Sequence, residues 1–314
     1  LIFILIKIKK FVKKMRLRFL VCKIRLSNKG LAMSKTIPTG GALGADITEI
    51  DLHCGDASEI VLSALHHHLV VRIRGANIDD LAFTRFASRF GQLEGSPAFS
   101  RSRPDYIPDA PLITVVSNVK ENGIAIGEHG DGELNWHTDL GFMETPSGYT
   151  FLLARQVPPT GGDTSFCNMY TAYEQLDAAT KQTIATLRVK HQMSHTAQGI
   201  PRPGFKDIST IDPRELPGPL HPIVRTHPHT GRKALYLGRR FGAYIPGLSL
   251  EDSERLLDGL WAKCGEAGNT WAQKWQVDDM IIWDNRATMH RREQFVGAGL
   301  RRMHRLTTLG EKPA

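Results

Sequence analysis

Short apolar runs, bounded by glycine, proline and polar turns, dominate this chain, and helical spacing is confined to a few blocks. Leu69-Val70-Val71-Arg72-Ile73, closed by Gly75, is β-branched and predicts a strand. Residues 112–117, 147–154 and 163–166 predict three more, the last two separated by the turn Pro158-Pro159-Thr160-Gly161-Gly162. Residues 221–226 and 234–237 flank a polar turn and predict a hairpin. Strands return at 271–276, 280–284, 288–291 and 303–309. Helices are predicted over 58–68, 79–91 and 170–187, where apolar residues fall near one face, and over 250–264, which opens with Glu251 and Asp252 and is followed by Gly265. No strand–helix–strand alternation runs through the chain. The expected class is therefore mainly β with inserted helices, around an antiparallel double-stranded β-helix (jelly-roll) core. Residues 95–111 and 196–219 are rich in proline or glycine and read as loops, and 120–134 reads as a mobile lid or a surface connection.

Composition changes this picture at one end. Residues 1–33 hold ten Lys or Arg and no Asp or Glu, which leaves 30 basic against 32 acidic residues, a net −2, in the rest. The formal charge of +8 is thus no electrostatic footprint for nucleic acid, and no nucleic-acid partner is expected. The first apolar run is six residues long, too short to span a bilayer, and its order is wrong for a signal peptide. Residues 1–33 read as a basic apolar leader outside the fold: a membrane-surface segment, or upstream sequence before a start at Met33. No linker divides 34–314, which reads as one domain with a cytoplasmic location and no membrane association. Cys22, Cys54, Cys167 and Cys264 form no CxxC pair, so neither zinc-ribbon nor redox spacing is present.

The chemistry concentrates in Asn135-Trp136-His137-Thr138-Asp139. In an extended strand His137 and Asp139 point to one side and Thr138 to the other. Alone, His-x-Asp is a weak signal. A third ligand must come from a neighbouring strand, and His290 follows the predicted strand at 280–284. Two histidines and a carboxylate on one face of an octahedral iron leave open positions for a co-substrate and O2. Other residues have blander readings. Trp136 reads as packing, and Glu128, His129, Asp131 and Glu133 as a solvated loop. His227 and His229 read as a surface turn, His304 and Arg302 as outward-facing, and Asp284-Asn285 as a turn fixed by side-chain bonds. His66-His67-His68 reads as a helix C-terminus, and His191 with His195 as a weak candidate second metal pair.

Taken together, Trp136-His137-Thr138-Asp139, Thr145-Pro146, Thr160-Gly161-Gly162-Asp163-Thr164, Trp283-Asp284-Asn285-Arg286 with His290, and Arg301 with Arg305 resemble the Fe(II)/2-oxoglutarate-dependent dioxygenases that include the taurine and 2,4-dichlorophenoxyacetate dioxygenases. The resemblance spans about residues 40–310. It implies that His137, Asp139 and His290 bind Fe(II). It implies that Arg301 and Thr164 bind the distal carboxylate of 2-oxoglutarate, and that Arg305 meets an anionic group of the substrate or the co-substrate's other carboxylate. The implied reaction uses O2, releases succinate and CO2, and hydroxylates a C–H bond of a small anionic organic substrate. A homo-oligomer, dimer or tetramer, is expected. Relatives that act on taurine carry Asn four residues before the first ligand, where Glu133 stands here, and histidine after the early Phe-Gly, which Phe90-Gly91 lacks. The substrate classes left open are carboxylates, sulfonates, sulfate esters and aryloxyalkanoates. Two other readings stand beside this one: a non-catalytic binding or assembly module, and a halogenase, in which a small residue normally replaces the carboxylate ligand.

Overall fold

The computed structural model describes residues 34–94, 107–129, 134–195, 201–297 apart from 203, 206 and 209, and 299–314. The expected leader at 1–33 and much of the loop expected at 95–111 lie outside these residues. The chain is mainly β with helices set in blocks. The large sheet runs, strand beside strand, through Lys35–Pro38, Ala45–Thr48, Val70–Ile73, Met280–Asp284, Ser147–Gln156, Arg302–Leu309, Thr114–Ser117 and Glu128–His129, with Leu93–Glu94 also paired to Arg302–Leu309. A four-stranded sheet follows the order Thr270–Gln273, Thr164–Asn168, Thr288–Arg292, Leu134–His137. Its neighbours are all antiparallel.

The central strand Ser147–Gln156 shows why its sequence is an almost unbroken apolar run. Its first eight residues are buried. Leu152 and Ala154 join a core shared with Phe166, Cys167 and Met289 of the smaller sheet. Tyr149, Phe151 and Leu153 join a second core with Val61, Leu65, Phe83 and Phe86, from the helices Ala57–His68 and Asp80–Ala87. A strand covered on both faces cannot alternate apolar with polar. The first core fills the space between the sheets, and its edge holds the chemistry.

Several expected elements shift for local reasons. The helix expected over 79–91 ends at Ala87 and continues as a 3-10 turn, Ser88–Phe90. Its start is set by Asp79, whose side chain accepts from the Ala82 amide. The helix expected over 170–187 is two, Met169–Glu174 and Ala178–Ile184. Asp177 accepts from the Thr180 amide, and so starts a new helix where the spacing alone suggested continuity. Within 120–134, Lys120–Glu121 pairs with Ile124–Ala125 and Glu128–His129 joins the large sheet, so the first part of that expected loop is strand. The hairpin forms between Val224–Thr226 and Lys233–Leu235. Cys167 and Cys264 are free and buried. No helix among the described residues is long and apolar enough to cross a membrane.

Candidate metal and co-substrate site

His137 ends its strand and lies directly opposite His290 in the adjacent strand. Facing residues of an antiparallel pair share a side, and the two imidazole rings stand 4.2 Å apart. Asp139 is not in the strand, as the spacing had suggested. It lies in the turn that follows, where Leu140 has φ 50°. That turn is pinned by three bonds. The Thr138 amide donates to the Gly238 carbonyl (2.9 Å), the Gly141 amide to the Thr138 carbonyl (3.3 Å), and the Asp139 amide to Asn285 Oδ1 (3.3 Å). Asp139 Oδ1 then lies 3.9 Å from Nε2 of both histidines. Ligand atoms of the three residues all fall within 4.8 Å of one another, the one such cluster among the described residues.

The donor set fits a divalent metal. His137 Nδ1 lies 2.8 Å from the Asn135 carbonyl. A carbonyl only accepts, so Nδ1 carries the proton and Nε2 presents its lone pair. Burial, the neighbouring His290 and Arg239 push the His137 imidazole well below its usual range, towards the neutral form a metal needs. Burial alone would raise the Asp139 carboxyl, but His290, Arg305 and His137 hold it well below the ordinary carboxylate range. Both histidines are therefore neutral and the carboxylate charged at neutral pH.

A buried chain of bonds fixes the carboxylate. Trp283 Nε1 donates to Asn285 Oδ1 (3.0 Å), Asn285 Nδ2 to Thr150 Oγ1 (2.8 Å), and Thr150 Oγ1 to Asp139 Oδ2 (2.8 Å). Asn285 thus reaches beyond the turn expected for it and holds both the amide and, through Thr150, the carboxylate of Asp139. Thr150→Val removes the bridging hydroxyl and strands the Asn285 amide. We expect Fe(II) or Mn(II) affinity to fall ~10–100-fold, as for other outer-sphere partners, read by metal titration. Unchanged affinity would show that the chain of bonds serves folding alone.

A second group of residues gathers around Arg301, near Arg292 of the His290 strand. Arg301 is 2 % exposed, and its guanidinium sits 5.8 Å from the Trp275 ring and 5.9 Å from the Phe295 ring. Its Nε has no hydrogen-bond partner. Burial, with Arg292 nearby, pushes its pKa down to about 9. A guanidinium does not give up its proton in a protein, so Arg301 is a buried cation, with Asp163 as the carboxylate that acts on it. The Gly161-Gly162 turn makes room for it. Gly162 has φ +71° and a Cβ there would stand 3.2 Å from Arg301 Cδ. Thr164 Oγ1 accepts from Trp275 Nε1 at 3.0 Å. Indole only donates, so the threonine proton stays free to point at an acceptor. Trp275 and Arg292, which shares the face of His290 two residues on, were not evident as site residues. Only the 275–164 and 290–292 relationships in space reveal them.

Arg305 Nη1 lies 3.8 Å from Asp139 Oδ1 and its Nη2 3.7 Å from Glu128 Oε2. Glu128 therefore faces the site, contrary to the solvated-loop reading. Asp131, Glu133 and the His129 side chain lie outside what the structure describes. Three further readings are corrected. His227 is buried and Nε2 lies 3.0 Å from Asp284 Oδ2, because the rings of His66, Tyr170 and His229 cover the turn. His304 is buried with Nδ1 2.7 Å from Asp80 Oδ1, since the helix Asp80–Ala87 covers that face of its strand. His191 and His195 do not align on a helix. His191 packs near His221 and His195 bonds Ser194. Trp136 packs under Arg291, as expected of it, and the three histidines 66–68 close their helix.

The profile of the taurine catabolism dioxygenase TauD, TfdA family matches residues 34–307. A pentalenolactone F synthase of Streptomyces arenae is 32% identical over 274 residues, 82% of this chain and 87% of its own. An α-ketoglutarate-dependent 2,4-dichlorophenoxyacetate dioxygenase of Burkholderia sp. (strain RASC) is 31% identical over 249 residues, 77% of this chain and 82% of its own. The crystal structure of a taurine dioxygenase from Burkholderia xenovorans superposes with a TM-score of 0.72 at 25% identity, covering 90% of this chain and 92% of that one.

Proposed function

Because the chain belongs to the taurine catabolism dioxygenase TauD, TfdA family, we propose that it is an Fe(II)- and 2-oxoglutarate-dependent dioxygenase. It hydroxylates a C–H bond of a small anionic organic substrate and releases succinate and CO2. The observation that carries this reading is the cluster of His137, Asp139 and His290, with the buried guanidinium of Arg301 near Arg292 of the His290 strand. We read the two sheets and their shared core as a double-stranded β-helix, and residues 34–314 as one domain.

In this reading His137, Asp139 and His290 hold the iron. The iron supplies the oxygen chemistry that couples 2-oxoglutarate decarboxylation to substrate hydroxylation. The protein's own part is placement. Arg301 takes the distal carboxylate of 2-oxoglutarate in a bidentate grip that a lysine lacks. Thr164 donates its hydroxyl proton to the same group. Arg305 faces the cavity beside Asp139 and orients the substrate's anionic group or the co-substrate's other carboxylate. The rings of Trp275 and Phe295 keep water from the Arg301 carboxylate, which strengthens that contact. Substrate held at a fixed distance from the metal gains the rate advantage of proximity.

An intact ligand set and both arginines weigh against a non-catalytic module. Asp139 occupies the ligand position that a halogenase leaves small. Anaerobic addition of 2-oxoglutarate to the Fe(II) protein is expected to produce a metal-to-ligand charge-transfer band. Sulfonates, aryloxyalkanoates and alkyl sulfates then identify the substrate class by stimulating succinate release in air. Absence of both the band and succinate would leave the binding-module reading standing.

A further inference from the structure

Two more arginines, Arg202 and Arg239, lie close to the metal-ligand cluster. Gly238-Arg239 lies against the metal-ligand strand. The Thr138 amide bonds the Gly238 carbonyl, and Arg239 forms an antiparallel bridge with His137. Bridge partners project to the same side of a sheet, so the Arg239 side chain shares the side on which His137 presents its ligand nitrogen. Its charge accordingly acts on His137, Asp139 and His290. Arg239 Nε is sealed from solvent and has no hydrogen-bond partner. Its guanidinium stands 5.2 Å from the Phe142 ring, and that of Arg202 stands 4.1 Å from the same ring.

The segment is held rigidly. Arg240 Nη2 lies 2.7 Å from Asp258 Oδ1 and 2.5 Å from Glu254 Oε2, which ties Arg239 to the helix Leu250–Cys264. Gly238 has φ +62°, and a Cβ there would lie 2.4 Å from the His191 ring. Packing of this kind sets a side chain in advance of its ligand. Charge points the same way. Among the described residues, Glu128 and Asp139 are the carboxylates facing Arg202, Arg239 and Arg305. Among the described residues these two carboxylates thus face three arginines, and positive charge is in excess around Arg202 and Arg239.

We propose that Arg239, backed by Arg202 on the Phe142 ring, is a second anion-binding residue of the substrate cavity. With Arg305 it selects a substrate carrying two anionic groups, such as a dicarboxylate or a carboxylate bearing a sulfate ester. This rests on the dioxygenase reading and narrows its substrate class. Phe142 adds an apolar wall beside Arg202 and Arg239.

The test uses the anaerobic Fe(II) protein saturated with 2-oxoglutarate. Straight-chain dicarboxylates from glutarate to suberate are titrated by calorimetry against monocarboxylates of matched length. At least one dicarboxylate is expected to bind about tenfold or more tightly than its monocarboxylate, the worth of one charge-assisted contact. In Arg239→Met and Arg239→Gln that preference should fall below about twofold, with the 2-oxoglutarate charge-transfer band and its Kd retained. Equal binding of both series by the wild type, or a preference that survives either substitution, overturns the proposal. Failure of 2-oxoglutarate itself to bind would overturn the dioxygenase reading, and this inference with it.

Discussion

Asp139→Ala is expected to abolish succinate formation and to lower Fe(II) affinity by more than the ~10–100-fold typical of outer-sphere changes. The substitution removes one of the three proposed ligands and the only charged one. It also removes the negative charge that Arg305 faces at 3.8 Å, an attraction of about 4 kcal/mol at an effective dielectric of ~20. Thr150 Oγ1 loses its acceptor, and the bond chain from Trp283 ends on an unpaired hydroxyl. Two effects are therefore mixed, and Asp139→Asn separates them. Asparagine keeps the volume and an oxygen for Thr150 but drops the charge. Its metal affinity should still fall steeply, while its thermal midpoint stays nearer the wild type than that of Asp139→Ala. Succinate formation that persists in purified Asp139→Ala would remove Asp139 from the metal site.

How far the site could be read from the chain depended on whether its parts obey a local period. His137 and His290 were legible because each sits on a strand and strands impose alternation. Asp139 was legible as the third member of the cluster, but not for the reason its spacing gave. The strand ends at His137, and the turn that brings the carboxylate round is pinned by Asn285, 146 residues away. No local pattern encodes such a bond. Thr150 and Trp275 were missed for the same cause. Each is an ordinary strand or loop residue until a remote turn supplies Asp139 or the adjacent strand supplies Thr164. His227 failed differently. A hairpin turn is usually a surface feature, and this one is covered by rings from two helices remote in sequence. The mainly β class was legible throughout, because short, largely buried apolar runs at 70–73, 147–156 and 280–284 carry the signal by themselves. The break at Asp177 was not, because two short helices with similar apolar faces look like one long helix.

Arg301→Ala is expected to raise the KM for 2-oxoglutarate ~100-fold, about 3 kcal/mol, the loss typical when one partner of a buried charge pair is truncated. The size follows from the pocket. Arg301 is almost wholly buried between Trp275 and Phe295, so water cannot replace the guanidinium cheaply. Alanine leaves the incoming carboxylate facing two rings and one hydroxyl. Thr164→Val tests the hydroxyl alone and should cost less, ~10-fold, because the guanidinium remains. Arg301→Lys should recover only part of the loss, since a single ammonium cannot make the paired contacts of the fork. The backbone amide of Arg301 donates to Asn118 Oδ1 at 2.8 Å, and this bond survives all substitutions at 301. The strand start should therefore stay in place, and metal affinity measured without 2-oxoglutarate should be close to wild type. A rise confined to the KM of the hydroxylated substrate would mean that Arg301 and Arg305 exchange the roles assigned to them. It would also move the pairing partner of Arg239 from Arg305 to Arg301, and the dicarboxylate length that binds best would change accordingly.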